Sequence, residues 1–220
     1  RSAKGMGFTG CISYTDVNVK SDLERDFRDK KFEGTRGYGF WRWKPLIIKD
    51  ALSRVNENDI VFYIDSGNTI INSVLPVVQI CNEDDRVFFE NRDGNFKKQV
   101  HLNAEWTKRD CFVLMGCDEQ RYYDSPQADA AYQVYKKTPE NMEFLNEYIE
   151  YCKNDNIITD DACATKPNLS RFIDHRHDQS ILSLMIAKRG YRMYPEPSEW
   201  GNYLSDRPYP QLFHHHRGIF

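Results

Sequence analysis

The sequence predicts a single α/β domain in which helices flank a mostly parallel central sheet. Short apolar runs alternate with amphipathic segments along the chain, which is the pattern of this fold class. No internal repeat, linker or low-complexity tract interrupts the alternation, and 220 residues suffice for one large core. We therefore expect one domain over residues 1–220, and Arg1-Ser2-Ala3-Lys4 is typical of an internal start within a longer chain.

Three helices are predicted from apolar side chains that recur at helical spacing. The first runs from about Lys44 to Val55 and has Pro45 in its first turn, where proline is tolerated. The second runs from about Glu140 to Cys152, and the third begins near Asp178.

Strands are predicted where short apolar runs end at turn-forming residues. The clearest is Ile60 to Ile64, which is followed by Asp65-Ser66-Gly67-Asn68, so that a carboxylate lies at the carboxyl end of a buried strand. In open α/β sheets this edge is where ligands bind. Further strands are expected at Arg86 to Glu90, Cys111 to Met115 and Ala130 to Tyr135, and a first one either at Met6 to Ser13 or upstream of this chain.

The composition argues against two classes of partner. The chain has 30 basic and 33 acidic residues and a net charge of −3, so it lacks the positive field that nucleic-acid binding requires. No apolar window of about 18 residues is present, so neither a membrane span nor a secretory signal is expected. The six cysteines form no Cys-x-x-Cys pair. These features favour the cytoplasm for this stretch of chain.

Asp65 is the leading candidate for a metal ligand. A carboxylate held by a buried strand, and followed by Ser66 and Gly67, suits a hard cation that bridges a diphosphate and acts as a Lewis acid. The alternative is a carboxylate that only caps the turn at Gly67. The motif alone leaves both interpretations open.

A second polar segment, His175-Arg176-His177-Asp178-Gln179-Ser180, comes directly before an apolar helical run. Asp178 and Gln179 are therefore placed at a helix N-terminus, whose positive end favours anionic groups and where polar side chains can contact a sugar. A structural alternative makes Asp178 the N-cap of the helix. A third interpretation pairs His175 with His177 on zinc, although their spacing departs from the i, i+4 spacing of helical zinc sites.

Three consecutive histidines, His214, His215 and His216, lie near the end of the sequence. Neutral imidazole is a good ligand for a divalent metal, so one of them is a candidate to share a metal with Asp65. The alternative is a solvated tail.

Two further segments are candidates for ligand binding. The glycine-rich and aromatic stretch from Gly37 to Pro45 places Lys44 at a helix start, where its ammonium can reach a phosphate, and its tryptophans either stack on a base or sugar or pack in the core. The segment from Gln127 to Tyr132 has Asp129 between small residues, which either leave room for a ligand or allow close packing.

Three of these segments together resemble GT-A-fold glycosyltransferases, in particular those of bacterial and viral polysaccharide synthesis. The segments are Gly37–Pro45, Asp59–Gly67 and His177–Leu182, and their order and spacing fit over most of the chain. The resemblance implies a Rossmann-like GT-A domain and a nucleotide-diphosphate sugar as donor, with UDP favoured. It also implies Mn²⁺ or Mg²⁺ as cofactor and transfer of a hexose to a hydroxyl of a glycan or another acceptor.

The resemblance implies roles for individual residues as well. Asp178 and Gln179 look like the Asp-Gln pair beside the transferred sugar and are the expected catalytic residues. Donor binding is implied for Lys44, Trp43, Asp65, Ser66, Gly67, Gln127 and Asp129, and metal binding for Asp65 and one of His214, His215 and His216. The family motif is often Asp-x-Asp, whereas Gly67 occupies its second position here. The metal therefore needs a ligand from elsewhere, which we expect to be His215 or a neighbour, as in glycogenin-like galactosyltransferases.

The sequence leaves the mechanism and two rival functions open. In an inverting reaction Asp178 is the expected base, and in a retaining one Asp178 or Gln179 stabilises the oxocarbenium-like centre. Asp129 and the pair Asp160-Asp161 are alternative bases. The rival functions are a carbohydrate-binding or nucleotide-sugar-binding module without catalysis, and a metal-dependent hydrolase built on His175, His177, Asp178 and Asp65.

Overall fold

A computed structural model describes residue 3 and residues 5–15, 33–92, 99–201 and 207–216. Helices and strands alternate through these ranges, as expected for an α/β protein. In chain order they are α1 (Gly37–Phe40), α2 (Lys44–Ser53), β1 (Ile60–Ile64), β2 (Asn68–Ile70), α3 (Leu75–Asp84), β3 (Arg86–Glu90), α4 (Asn103–Trp106), α5 (Arg109–Leu114), α6 (Gln120–Tyr123), β4 (Ala128–Lys136), α7 (Pro139–Lys153), α8 (Asp155–Ile158), α9 (Asp178–Arg189), β5 (Met193–Tyr194), a 3₁₀ helix (Glu199–Gly201) and β6 (Phe213–His215). None of the helices in the described ranges is both long and apolar enough to cross a lipid bilayer.

The central sheet has four strands in the order β1-β4-β3-β5. β4 pairs antiparallel with both β1 and β3, whereas β3 and β5 pair in parallel. The prediction of a mostly parallel sheet is therefore wrong. Alternation of helices and strands indicates that both element types are present. Strand direction depends instead on whether each connection returns to the same end of the sheet or to the opposite end, and hydrophobic patterning does not encode this.

Most of the predicted elements form. β1 and β3 have the predicted bounds, the strand predicted at residues 130–135 is the central part of β4, and the three predicted helices are α2, α7 and α9. The strand predicted at Cys111 to Met115 is wrong, because this run belongs to helix α5 and its C-terminal cap. Gly116 follows with a φ of +68°, the left-handed conformation that commonly ends a helix. Residues 6–13 form turns, irregular backbone and a single β-bridge residue, Phe8, so the first strand does not form at Met6 to Ser13, one of its two expected places.

Hydrophobic side chains cover both faces of the sheet. Successive residues of a strand point to opposite faces. Phe88 accordingly packs with residues of α7 and α9, whereas Val87 and Phe89 pack with residues of α3 and β6. The core on the Phe88 side of the sheet fixes α9 against β4, and the candidate site lies where these two elements meet α2 and β1.

Two helices of the site are preceded by unusual backbone. The five residues 37–41 have φ values between +49° and +84°, so α1 is one turn of left-handed helix, with a hydrogen bond from Phe40 N to Arg36 O at 2.7 Å. His177, directly before α9, has φ of +51° and ψ of −118°. A non-glycine residue held in the left-handed region costs about 1–2 kcal/mol. Contacts with the rest of the fold must therefore hold both segments.

Candidate functional site

A buried ammonium and two carboxylates form the centre of the candidate site. Lys44 Nζ lies 3.1 Å from Asp178 Oδ2 and 3.5 Å from Asp65 Oδ1, and it donates to Ala130 O at 3.2 Å. The side chains of Lys44 and Asp178 are each 4% exposed, whereas that of Asp65 is 35% exposed. The start of α2, the start of α9 and the end of β1 thus bring their charged residues together, with Asp65 on the solvent side.

The low exposure of this cluster shifts its protonation equilibria. Burial raises the pKa of Asp178 to about 6, although the neighbouring Lys44 ammonium opposes the rise. Burial lowers the pKa of Lys44, but the carboxylates of Asp178 and Asp65 outweigh this and raise its pKa above the ordinary value. Lys44 is therefore charged at neutral pH. The raised pKa of Asp178 lies closer to neutral pH, where a general base is most effective.

Tyr63 belongs to the site although its role was missed in the sequence. Its hydroxyl donates to Asp65 Oδ1 at 2.6 Å, and Lys44 Nζ lies 5.5 Å from the centre of its ring. Burial, followed by the Asp65 charge, raises the pKa of Tyr63 well above its ordinary value, so it is a donor at neutral pH. A signal was present in the sequence, because residues two apart in a strand point to the same face.

Gln127 and the first part of β4 contact the start of α9. Gln179 Oε1 accepts from Ala130 N at 3.3 Å, and Gln179 Nε2 donates to Gln127 Oε1 at 3.0 Å. Gln127 Nε2 donates in turn to Trp106 O at 3.2 Å. Asp129 Oδ1 accepts from Ala131 N at 2.8 Å, and its charge contributes to the raised pKa of Lys44. The structure therefore brings Gln127, Asp129 and Gln179 to the same place as Lys44.

Glu196 is a buried carboxyl that sequence reasoning missed. Its Oε2 accepts from Ser198 N, Ser198 Oγ and Gly201 N at 2.9–3.0 Å. Burial, and after it the charge of Asp129, raises the pKa of Glu196 to about 8. The Pro-rich and aromatic stretch after Gly190 carries no local pattern that indicates such a group.

The three histidines lie beside the Asp65 turn and are not a free tail. β6 pairs antiparallel with β2, so that His215 lies opposite Asn68 and His214 opposite Thr69, and His216 N donates to Gly67 O at 2.8 Å. Asn68 Nδ2 also donates to Asp65 O at 3.0 Å. The interpretation as a solvated tail is therefore wrong, and β6 comes next to the turn that carries Asp65.

The histidine side chains divide between the two faces of β6. The rings of His214 and His216 lie 4.8 Å apart on one face, where His216 Nε2 hydrogen bonds to Thr69 Oγ1 at 2.7 Å. Alternation places His215 on the other face, together with Phe213, whose ring stacks on Tyr132 at 5.0 Å. His215 is therefore the histidine on the side of the central sheet.

The predicted metal ligands do not form a complete metal site by themselves. Within the described ranges, no group of three or more His, Cys, Asp or Glu side chains converges as a metal site. The pairing of β6 with β2 brings the histidines beside the turn that carries Asp65. Mg²⁺-type cations are commonly held by one or two carboxylates while phosphate and water oxygens complete the sphere. Asp65 and a histidine would therefore be enough only for a metal that binds together with a diphosphate.

The predicted residues Ser66 and Gly67 form the turn between β1 and β2 and lie at the open side of the site. Gly67 has no positive φ, and a Cβ added there meets nothing within 4 Å. The missing second carboxylate of the family motif is therefore not excluded by packing.

Trp43 takes part in packing. Its Nε1 donates to Gly37 O at 3.0 Å, and its ring packs with Leu46, Ile47 and Ile149. These contacts favour the packing interpretation over a base-stacking role.

The two histidines before α9 do not form a zinc pair. His175 Nδ1 accepts from Lys108 N at 3.2 Å, and its Nε2 bonds to Ile157 O at 2.8 Å, so both ring nitrogens are used by backbone groups. His177 Nδ1 bonds to Ile158 O at 2.8 Å. The hydrolase interpretation, which needs both rings as ligands, loses its metal site.

Asp178 is not the N-cap of α9, as one interpretation of the sequence proposed. His177 occupies the N-cap position, and Asp178 is the first residue of the helix, with its side chain turned to Lys44. Asp160 Oδ1 lies 3.5 Å from His177 Nε2, and Asp161 Oδ2 accepts from Thr159 Oγ1. Both of these alternative bases therefore contact residues outside the Lys44 cluster.

No protein-family profile, curated protein or solved structure matches this chain in the comparisons made. The chemistry of the site must therefore be read from its own residues.

Proposed function

We propose that this protein is a glycosyltransferase of GT-A type that transfers a hexose from a nucleotide-diphosphate sugar, with UDP favoured, to a hydroxyl of a glycan or another acceptor. The observation that carries the proposal is the meeting of Lys44, Asp65 and Asp178. These residues come from three separate segments, and their distances of 3.1 and 3.5 Å place one cation between two carboxylates. A cation in this position suits a leaving group that develops negative charge.

Each residue has a task in the proposed reaction. The acceptor oxygen attacks the anomeric carbon while the bond from that carbon to the diphosphate oxygen breaks. Lys44 neutralises charge on the departing diphosphate, while Asp178 acts on the sugar. With a pKa of about 6, Asp178 is able to take the acceptor proton in an inverting reaction or to stabilise positive charge at the anomeric carbon in a retaining one.

Gln179, Gln127 and Asp129 supply hydrogen-bonding groups for the hydroxyls of the donor sugar. Asp65 and His215 are the residues that would hold Mn²⁺ or Mg²⁺. The metal would supply Lewis-acid stabilisation of the leaving diphosphate.

The first test is nucleotide binding, measured by thermal unfolding with UDP, GDP or CMP, each with and without Mn²⁺. A nucleotide at 100 times its Kd stabilises the folded state by about 2.7 kcal/mol, which raises Tm by roughly 5–10 °C in a chain of this size. We expect UDP to raise Tm only when Mn²⁺ is present. If none of the three nucleotides shifts Tm with or without Mn²⁺, the proposed donor-binding site is contradicted.

Metal dependence is tested at Gly67 and in β6. Gly67→Asp adds the second carboxylate where packing leaves space, so we expect a lower Mn²⁺ concentration for half-maximal UDP binding. His215→Ala should raise that concentration, and His214→Ala, on the other face of β6, is its matched control. Equal effects of the two alanine variants would contradict the choice of His215.

A second candidate function is a nucleotide-sugar-binding module without catalysis. Gly67 favours it, because the motif Asp65-Ser66-Gly67 offers a metal only one carboxylate. The two functions share the binding result and differ in turnover. Release of UDP from UDP-glucose, UDP-galactose or UDP-N-acetylglucosamine in the presence of a glycan acceptor supports the transferase. Mn²⁺-dependent binding of UDP with no release from any of these donors supports the module.

A further inference from the structure

We propose that His177 is a positioning residue, whose ring joins the left-handed turn before Lys44 to the strained junction before Asp178 and so keeps the two charges in contact. The inference rests on the proposed function, in which Lys44 and Asp178 act together on the donor. This role accounts for the two segments of strained backbone without requiring that either of them contacts a ligand.

The ring of His177 is held on three sides. Its centre lies 4.9 Å from that of Phe40 and 5.6 Å from that of Trp41, both of which belong to the left-handed turn. Its Nδ1 bonds to Ile158 O at 2.8 Å, and the residue is 1% exposed. Rotation of this ring is therefore blocked, and the turn rests directly against it.

The turn itself is closed around Gly37. A Cβ on Gly37 would lie 2.2 Å from the ring of Trp41, and Trp43 Nε1 donates to Gly37 O at 3.0 Å. Gly39 N donates to Thr35 Oγ1 at 2.8 Å. Only glycine fits at position 37, because any side chain there would displace the indole that lies on His177.

The two strained segments lead directly to the two charges. Trp41, the last residue of the left-handed turn, comes three residues before Lys44, and His177 comes one residue before Asp178. Neither backbone is at its own energy minimum, so each would relax if it were alone. Because their rings pack on each other, each segment restrains the other, and relaxation of either moves one charge relative to its partner.

The test reads the position of Lys44 without using activity. Acetylation of each lysine by a water-soluble N-hydroxysuccinimide ester, followed over time by mass spectrometry, reports how often Lys44 Nζ leaves its buried contact, with the more exposed Lys153 as internal reference. His177→Gly removes the ring and relieves the backbone, and Gly37→Ala disturbs the turn from the other side. His175→Gln is the matched control, since His175 is 2% exposed and also bonds to the Ile157-Ile158 segment.

We expect His177→Gly and Gly37→Ala each to raise the acetylation rate of Lys44 by at least about tenfold, the change that corresponds to about 1.4 kcal/mol, and His175→Gln to leave it near the wild-type rate. kcat for donor turnover should fall in the same two variants. Wild-type acetylation and wild-type kcat in folded His177→Gly would overturn the proposal.

Two controls keep this test decisive. If His177→Gly is unfolded at the assay temperature, His177→Asn replaces it, because asparagine tolerates positive φ and also lacks the ring. If no donor is turned over by the wild-type protein, the proposed function fails on its own, and the acetylation rates still decide whether His177 positions Lys44.

Discussion

Asp110 and Asp178 are both buried carboxylates near the start of a helix, but their surroundings differ in kind. Asp110 is 0% exposed and accepts hydrogen bonds from Ala164 N at 2.7 Å, from Thr165 N at 2.9 Å and from the Thr165 hydroxyl. Asp178 is 3% exposed and faces the single ammonium of Lys44, which it shares with Asp65.

The pKa values follow these surroundings. Burial raises the pKa of Asp110, but its three hydrogen bonds outweigh this and leave the pKa below the ordinary value of 3.8. At Asp178 burial dominates, and the pKa rises to about 6. A fully hydrogen-bonded carboxylate anchors a loop, whereas one that depends on a shared cation is available for a ligand. We therefore propose a functional role for Asp178 and a structural role for Asp110.

The largest expected effect comes from removing the shared cation. Lys44→Met leaves Asp178 buried without its partner, and breaking a buried ion pair in this way costs about 3 kcal/mol of unfolding free energy. Urea unfolding at pH 7 measures the change. Lys153→Met, which removes an exposed pair with Glu150, is the control and should change stability by less than about 0.5 kcal/mol. Equal stability of the two variants would mean that the Lys44 pair is no different from a surface pair.

A smaller loss is expected at the structural carboxylate. Asp110→Asn weakens the acceptor of three hydrogen bonds and should cost about 2 kcal/mol of unfolding free energy. The same urea titration applies. Binding of UDP with Mn²⁺ by the folded variant should be unchanged, and a loss of binding at full stability would place Asp110 in the functional site.

The effect that separates the two carboxylates by sign is the pH dependence of stability. The folded-state pKa of Asp178 is above its ordinary value of 3.8, so its contribution is present below about pH 4 and is lost as the pH rises through about 6. The folded-state pKa of Asp110 is below 3.8, so its contribution is present above that pH and is lost as the pH falls through the folded-state value.

Tm of wild type, Asp178→Asn and Asp110→Asn, measured from pH 3 to 7 with a chelator and without nucleotide, checks these signs. We expect the Tm of wild type relative to Asp178→Asn to fall between pH 4 and 7, and relative to Asp110→Asn to rise with pH over the acidic part of the range. If the Tm difference from wild type changes with pH in the same direction for both variants, the proposed difference between Asp178 and Asp110 is contradicted.

Much of the fold could be predicted because its elements have strong local signals. β1 and β3 are short apolar or aromatic runs closed by polar residues, and α7 and α9 carry apolar side chains at helical spacing. The run Cys111–Met115 has no such period, and a buried helical turn of this length has the same composition as a strand. Strand direction in the sheet depends on connections that local patterns do not specify.

Part of the site could also be predicted, but from the family resemblance and not from local patterns. The resemblance implies one site for Lys44, Asp65 and Asp178, and the structure brings these three side chains together. The pairing of β6 with β2 had no signal, since three consecutive histidines show neither strand alternation nor a preferred partner. Glu196 was missed for a similar reason, because its hydrogen bonds to Ser198 and Gly201 form within a loop whose sequence carries no local pattern for a buried carboxyl.

The central claim is that Asp178 is the functional carboxylate, and UDP release from a UDP-sugar tests it most directly. Wild type, Asp178→Asn and Asp110→Asn are compared with Mn²⁺ and an acceptor, with rates divided by the folded fraction at the assay temperature. We predict that Asp178→Asn loses about 10²–10⁴-fold in kcat per folded molecule, while folded Asp110→Asn turns over donor at the wild-type rate. A near wild-type rate for Asp178→Asn, or an equal loss in both variants, would contradict the account.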